Sequence, residues 1–310
     1  MKSVFIHSIA KFNRELPFKN KRRNEAFSVM LNQAKKNGFK AYLSRYDFYD
    51  KNTKKLKKAW VFDEGWKIVK DKQVDLFYYH GKTRNINKEI MKVEKINNLP
   101  ILNHLELESV CDDKLLTFNI FPDMVPKTFL VNDFFELQRV FHYIKTDKMV
   151  LKPRDGSNGR GIIVMEKKKL TNGIKKNTIV QEFIDSSNGI CGIKKMHDLR
   201  VIIIDGKIDH CYLRIPKKGS YLGNAAQGAK KIFLKISDLP STVIRRVKII
   251  DKHFEHYGPR VYSADFIMDP NGKPWLIELN SKPGTMWYDD APQTRKRYYN
   301  HLYQTLTKLV

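Results

Sequence analysis

The segment Trp275-Leu276-Ile277-Glu278-Leu279-Asn280 alternates apolar and polar residues, the pattern of an extended strand with one face in a core. Glu278 and Asn280 then share the other face, an acid beside an amide. Asp265 precedes Glu278 by thirteen positions, with Pro270-Asn271-Gly272 between them. A hairpin centred on that turn brings Asp265 beside the pair, and three oxygen donors at close quarters suit magnesium completed by water and phosphate oxygens. An ordinary polar hairpin face has the same pattern, so these three residues alone leave both readings open.

A second feature lies upstream, where Val150-Leu151-Lys152-Pro153 is followed by Gly156, Ser157, Gly159 and Gly161. Glycines after a strand let bare N–H groups approach phosphate oxygens, and Lys152 supplies a point charge. The loop has no Gly-Lys-Ser/Thr and leads into a strand, which excludes a Walker loop; its spacing also departs from G-x-G-x-x-G. The chain offers no G-x-S-x-G elbow and no paired Cys and His, so no covalent enzyme nucleophile is expected. His253 and His256, like the scattered His7, His80, His104 and His210, are read as structural.

The elements that must position these residues fall into two textures. Ser3–His7 is a β-prone run, Arg23–Lys36 carries apolar residues at helical spacing with Asn37-Gly38 as a stop, and Phe39–Leu43 is a second strand. A hairpin is expected over Ala59–Val69, strands at Val74–Tyr79 and Pro100–Asn103, and a helix over Ile86–Ile96, giving a mostly parallel α/β unit. Short strands dominate from Val150 onward: Val150–Lys152, Gly161–Met165, Thr178–Glu182, Leu199–Ile204, Lys207–Arg214, Ser263–Met268 and Trp275–Leu279. Asp205-Gly206 is expected to turn an antiparallel pair. Helices are expected at Phe134–Ile144, Thr242–Tyr257 and Arg295–Leu309.

The 310 residues, 42% of them hydrophobic, are enough for two or three packed subdomains. No run reaches the ~18 to 20 apolar residues of a membrane span, and no export signal opens the chain. Cys111, Cys191 and Cys211 are odd in number and form no C-x-x-C pair, which disfavours disulfides or a thiolate zinc site. A cytoplasmic, reducing location is therefore expected, with no membrane partner. The net charge of +25 would attract nucleic acid, membrane or an acidic partner without choosing among them; the bland alternative is lysine-rich solvated faces. No nucleic-acid-binding motif accompanies the charge, so no specific nucleic-acid partner is expected.

The order Lys114, Lys152-Pro153 with its glycine loop, Ile179-Val180-Gln181-Glu182-Phe183-Ile184, Asp198-Leu199-Arg200, Arg214, Asn224, Asp265 and Glu278-x-Asn280 resembles the ATP-grasp superfamily over roughly residues 100–290. His197-Asp198-Leu199-Arg200-Val201, Gly223–Gly228 and Glu278–Gly284 are most similar to the branch of ribosomal-protein glutamate ligases and glutathione synthetases, and to spore-coat-associated ATP-grasp proteins. The resemblance implies an α/β (α+β) ATP-grasp fold, with a Rossmann-like pre-ATP-grasp domain over 1–110 and the ATP-grasp domain over 111–310. Within the latter, about 126–185 would be the small ATP-binding subdomain and 186–310 the metal and substrate subdomain.

By that resemblance Lys114 and Lys152 hold the α- and β-phosphates of ATP, and the loop with Gly156, Ser157, Gly159 and Gly161 closes over the nucleotide. Gln181, Glu182, Phe183 and Ile184 lie on the adenine side, with Glu182 or Asp185 at the ribose. Asp265, Glu278 and Asn280 are similar to the ligands of two Mg2+ ions, for which Mn2+ is an allowed substitute. Arg200, Arg214 and Asn224 match positions facing the transferred phosphate and the acyl substrate. The implied activity joins a carboxylate to an amine through an acylphosphate, on small-molecule or peptide substrates that include an acidic peptide, in a chain free to form homo-oligomers. An ATP-grasp phosphotransferase and a catalytically quiet, spore-coat-like ATP-binding protein are the alternatives.

Overall fold

The computed structural model describes residues 1–81, 96, 98–155, 159–169, 173–187, 193–221, 223, 228–285, 288–289 and 291–310. Residues 86–95 of the helix expected over Ile86–Ile96, and the site candidates Gly156, Ser157 and Asn224, lie outside the described residues. The chain divides into two compact units: Met1–Leu105 with His256–Val261 and Lys282–Val310, and Glu106–Glu255 with Tyr262–Ser281.

The first unit is built on a six-stranded sheet whose order is 66–69, 59–62, 39–44, 2–7, 76–79, 101–102. Strands 39–44, 2–7, 76–79 and 101–102 run parallel. Strands 59–62 and 66–69 add an antiparallel hairpin at one edge. Burial on both faces explains the near-continuous apolar run of Leu76–Tyr79. The helix Lys21–Lys36 connects the first two parallel strands; Asn20 caps it by accepting from the Arg23 N–H. It buries Ala26, Phe27, Met30, Leu31 and Ala34 and packs against the helix Pro292–Leu306. Phe5, Tyr42, Leu56, Trp60, Phe77 and Tyr79 are among its buried aromatic and apolar residues.

The second unit carries two antiparallel sheets. Its four-stranded sheet has the order 128–131, 178–182, 148–153, 163–166, over a core of Val131, Leu137, Ile144, Met149, Leu151 and Val180. Its five-stranded sheet runs 230–234, 207–215, 198–204, 261–268, 274–280. Asp205 and Gly206, at φ +48° and +82°, form the tight turn joining 198–204 to 207–215, as their sequence suggests. The helix Ser241–Phe254 places Val243, Val247, Ile250 and Phe254 on its buried face, a helical stripe matched to a sheet. The strands 128–131 and 230–234 and the helices Leu105–Asp112 and Lys114–Ile120 add to the elements expected from periodicity. Each is short, which leaves little repeat to read.

Within the first unit, Asn103 is fully buried and its amide grips the backbone of Val261. Nδ2 donates to the Val261 carbonyl at 2.7 Å, and the Val261 N–H donates to Oδ1 at 2.7 Å. Asn103→Ala leaves a buried donor and a buried acceptor unpaired, so it should cost about 2–4 kcal/mol. The check is a lower urea midpoint in equilibrium unfolding of the variant.

Candidate functional site

The site begins at the hairpin of strands 261–268 and 274–280, whose register sets Asp265 opposite Glu278 and Ser263 opposite Asn280. Asp265 is wholly inaccessible to solvent and is met by two arginines. Arg200 donates from Nε to Oδ1 at 2.7 Å and from Nη2 to Oδ2 at 2.6 Å. Arg214 donates from Nη2 to Oδ2 at 2.7 Å and from Nε to Asp198. Strand order explains the meeting: Asp198 and Arg214 are paired across their own hairpin, and strand 198–204 neighbours 261–268.

The quartet is neutral as a whole, two acids against two guanidiniums, which is how buried charge is tolerated. Its acids differ. Burial pushes Asp265 upward, but Arg200 and Arg214 outweigh it and hold the carboxyl below the usual aspartate range. For Asp198 burial prevails over Arg214, with Asp265 adding to it, and the carboxyl is pushed up to about 6. Asp265 is therefore ionised near neutrality, the state that a metal ligand needs.

Cations of another kind arrive from the four-stranded sheet. Lys152, on strand 148–153, is buried at 6% exposure. Its ammonium donates to Gln181 Oε1 at 2.8 Å and to the Ile277 carbonyl at 3.3 Å, so it bridges the two sheets of the unit. Gln181 is itself oriented, donating from Nε2 to Thr128 Oγ1 at 2.7 Å. Lys114 opens the helix 114–120, with its Nζ 3.8 Å from Glu278 Oε1. Burial, with the neighbouring Lys114 adding and Glu278 opposing, depresses Lys152 from its ordinary 10.5 to about 7.

A clamp absent from the sequence reading holds these lysines in place. Arg154 grips Asp113 through Nε and Nη2 at 2.7–3.0 Å, and the Lys114 N–H donates to the Arg154 carbonyl at 3.2 Å. Asp113 also caps the helix that begins with Lys114, accepting from the Leu115 and Leu116 N–H groups. One carboxylate thus ties the start of that helix to the end of the Lys152 strand. Gly161, at φ +76°, leaves room for the Pro153 ring 3.0 Å from where a Cβ would stand, which seats the end of the glycine loop against the same strand.

Several of these side chains line one cleft within the second unit. Of the residues singled out from the sequence, Lys114, Lys152, Gly159, Gln181, Glu182, Phe183, Ile184, Arg214 and Glu278 border it. Arg200 and Asp265 join it through Arg214. Asn280 lies two positions beyond Glu278 on the same strand. The carboxylates of Glu182 and Asp185 are engaged locally, accepting from the Lys145 N–H and the Ser187 N–H respectively, each at 2.8 Å.

Sequence reasoning missed Tyr221, which borders the cleft, and Lys148. The ammonium of Lys148 donates to the Tyr221 hydroxyl at 2.9 Å, and the Tyr221 ring meets Phe183 edge-on at 5.2 Å. Ile267 and Ile277 supply apolar lining, as expected of a pocket for a flat ring. Only the aromatic character of Tyr221 beside glycines was visible in advance.

For a divalent cation the donor set is Asp265, Glu278 and Asn280, all offering hard oxygen, as magnesium requires. Among the described residues no group of three or more His, Cys, Asp or Glu is arranged as a metal site, so the set depends on the amide. The Asn280 side-chain nitrogen is buried with no hydrogen-bond partner among the described residues; its Oδ1 is the atom able to ligate a cation. The residues present fit the ion.

Comparison with known proteins agrees with this geometry. Residues 113–253 match the family described as the prokaryotic glutathione synthetase ATP-grasp domain. A probable alpha-L-glutamate ligase of Vibrio vulnificus (strain YJ016) is 24% identical over 192 residues, 59% of this chain and 58% of the relative. One of Hydrogenovibrio crunogenus is 29% identical over 153 residues, 47% of this chain and 46% of the relative. The chain thus spans about half the length of these curated relatives. Among solved structures, D-cycloserine synthetase DcsG superposes with a TM-score of 0.65 at 12% identity over 98% of this chain and 99% of that one. D-alanyl-alanine synthetase A of Vibrio cholerae gives 0.64 at 14% over 99% and 98%. At such identities the likeness is one of fold.

Two outcomes follow from the lysines. Because the folded value of Lys152 lies below its ordinary 10.5, the folded protein has released, between pH about 7 and 10.5, a proton that the unfolded chain still holds. Its contribution to stability therefore rises with pH across that window. A polyphosphate favours the charged ammonium, so ATP binding at pH 8 should take up about one proton. Calorimetry in two buffers of different ionisation enthalpy should detect it, and Lys152→Met should abolish it. Arg154→Met should raise the KM for ATP by about 10-fold through loss of the clamp on Lys114, with kcat less affected in steady-state assays.

Proposed function

We propose that the chain is an ATP-dependent carboxylate–amine ligase of the ATP-grasp superfamily, in its glutathione-synthetase-like branch. The observation that carries the reading is the convergence of Lys114, Lys152 and Glu278 on one cleft, next to a buried Asp265 held by two arginines. Lysines gathered on one cleft suit a polyphosphate; oxygen donors beside them suit its magnesium.

In this reading Lys114 and Lys152 take the phosphates, while Phe183, Ile184, Ile267 and Ile277 enclose the base. Asp265, Glu278 and Asn280 would hold magnesium as two ions, with Mn2+ an allowed substitute; when bound, the metal neutralises phosphate charge and polarises the γ-phosphoryl group. A substrate carboxylate oxygen attacks the γ-phosphorus, the bond to the β-bridging oxygen breaks, and ADP leaves an acylphosphate. An amine then attacks the acyl carbon, phosphate departs, and the amine's proton goes to solvent. Arg200 and Arg214 place fixed positive charge where the phosphoryl group and the acyl oxygen gain negative charge, the form of stabilisation worth most in a water-poor site.

The printed names of the relatives, glutamate ligases, support an amino acid as one partner and a small molecule or peptide as the other. The absence of an apolar helix long enough to cross a membrane among the described residues is compatible with the expected cytoplasmic setting.

The test is a mass-spectrometric screen for ATP-dependent mass gain in amino-acid and peptide mixtures, followed by ADP and phosphate release with the substrates so found. Glu278→Gln should lower ADP formation at least ~100-fold, because it removes metal-balancing charge but keeps shape. Its circular dichroism should match that of the parent protein. Unchanged ADP formation in Glu278→Gln would overturn the role of that residue, and phosphate transfer without an amide product would overturn the ligase reading.

A further inference from the structure

Within the first unit, the carboxyl ends of three adjacent parallel strands gather polar groups that the nucleotide cleft does not use. Strand 2–7 ends in His7 and leads to Ser8; strand 39–44 ends in Ser44; strand 76–79 ends in Tyr79 and leads to His80. This end of a parallel sheet is where open α/β folds bind ligands.

Two cations reach this place from elsewhere in the unit. Arg23, in the first turn of helix 21–36, lays its guanidinium on the Phe18 ring, 4.2 Å from the centroid, and donates from Nη2 to Ser8 Oγ at 2.8 Å. Lys282 lies over the Tyr79 ring at 4.6 Å, and Tyr79 stacks on His7 with centroids 5.4 Å apart. Both cations act on the half-buried His80, which desolvation, then Arg23 and then Lys282 depress to about 4, so the two charges share one neighbourhood. His80 is thereby kept neutral and does not compete for an anion.

Arg23 has no acid partner among the described residues, unlike its neighbour Arg22, which pairs with Asp289 at 2.9 Å, and Arg295, which pairs with Glu25 and Asp289. Burial without a counter-charge lowers even its guanidinium to about 10. A half-buried cation in this condition lowers the stability of the empty protein and is satisfied by an incoming anion. The stacked guanidinium keeps its planar edge for a planar acceptor, and Ser8 fixes its orientation.

We propose that Arg23 and Lys282, set around Ser8 and Tyr79, form a binding site for the carboxylate of a small acidic ligand. The inference rests on the ligase reading only in identifying that ligand as an acidic co-substrate; the site itself stands on the first unit alone.

The experiment is titration of the full-length protein, without nucleotide, with glutarate, with its neutral diamide and with inorganic phosphate, read by calorimetry and by melting temperature. Glutarate should bind and raise the melting temperature, and the diamide should do neither. Arg23→Gln and Lys282→Gln should each weaken glutarate at least ~10-fold, with Arg23→Lys intermediate. In the absence of glutarate, Arg23→Gln should melt no lower than the parent protein. Equal glutarate affinity in parent and both variants, no glutarate binding, or a preference for phosphate would overturn the proposal. A lower melting point in Arg23→Gln restored by Arg23→Lys would also overturn it, since the guanidinium would then be structural. ATP affinity measured on the same samples separates the two readings: its absence in the parent protein refutes the ligase function and leaves the glutarate result standing.

Discussion

Charge taken out of water must be compensated, and the second unit meets this requirement in two ways. Asp198, Arg200, Arg214 and Asp265 compensate one another, two acids against two guanidiniums, within a web of 2.6–2.7 Å bonds at Asp265. Lys152 and Lys114 lie beside the acid Glu278, with Lys114 Nζ at 3.8 Å from it. The first group sets geometry, and the second is the one we propose for an anion. Everything else in the unit serves to keep these groups adjacent without letting them merge.

The fold achieves this with two sheets rather than one. Lys152 rises from a strand whose apolar partners, Met149 and Leu151, belong to the core under the four-stranded sheet, and it ends on the carbonyl of Ile277 in the five-stranded sheet. The helix 241–254 packs on the five-stranded sheet, its Phe254 meeting Tyr262 edge-on at 5.1 Å. Register does the final positioning: a shift of one residue in the 261–280 hairpin would send Asp265 and Glu278 to opposite faces. The Asp269 side chain guards against that slip by accepting from the Asn271 and Lys273 N–H groups and from the Trp275 indole.

The hairpin was legible in the sequence because alternation and turn chemistry act within a few residues, and the same holds for Asp205-Gly206. Lys114 and Lys152, which border one cleft, were singled out through the order of motifs rather than through local pattern. The arginine web at Asp265 was not, since Arg200 and Asp265 are 65 positions apart and their pairing depends on which strands become neighbours. The Arg154–Asp113 clamp and the Lys148–Tyr221 contact were hidden for the same reason, as was Arg23, whose lack of an acid is a fact of three-dimensional surroundings. The short helices 105–112 and 114–120 escaped because neither offers more than about two turns of periodicity.

Gln181 carries a consequence larger than its size. Its nitrogen is committed to Thr128 and its oxygen therefore faces Lys152, so the lysine is oriented by a dipole instead of a counter-ion. A carboxylate of equal length would hold the ammonium just as well in space while cancelling its field. By using an uncharged acceptor, the protein keeps this buried lysine aligned without cancelling its charge, which makes charge and side-chain order separate properties of one contact.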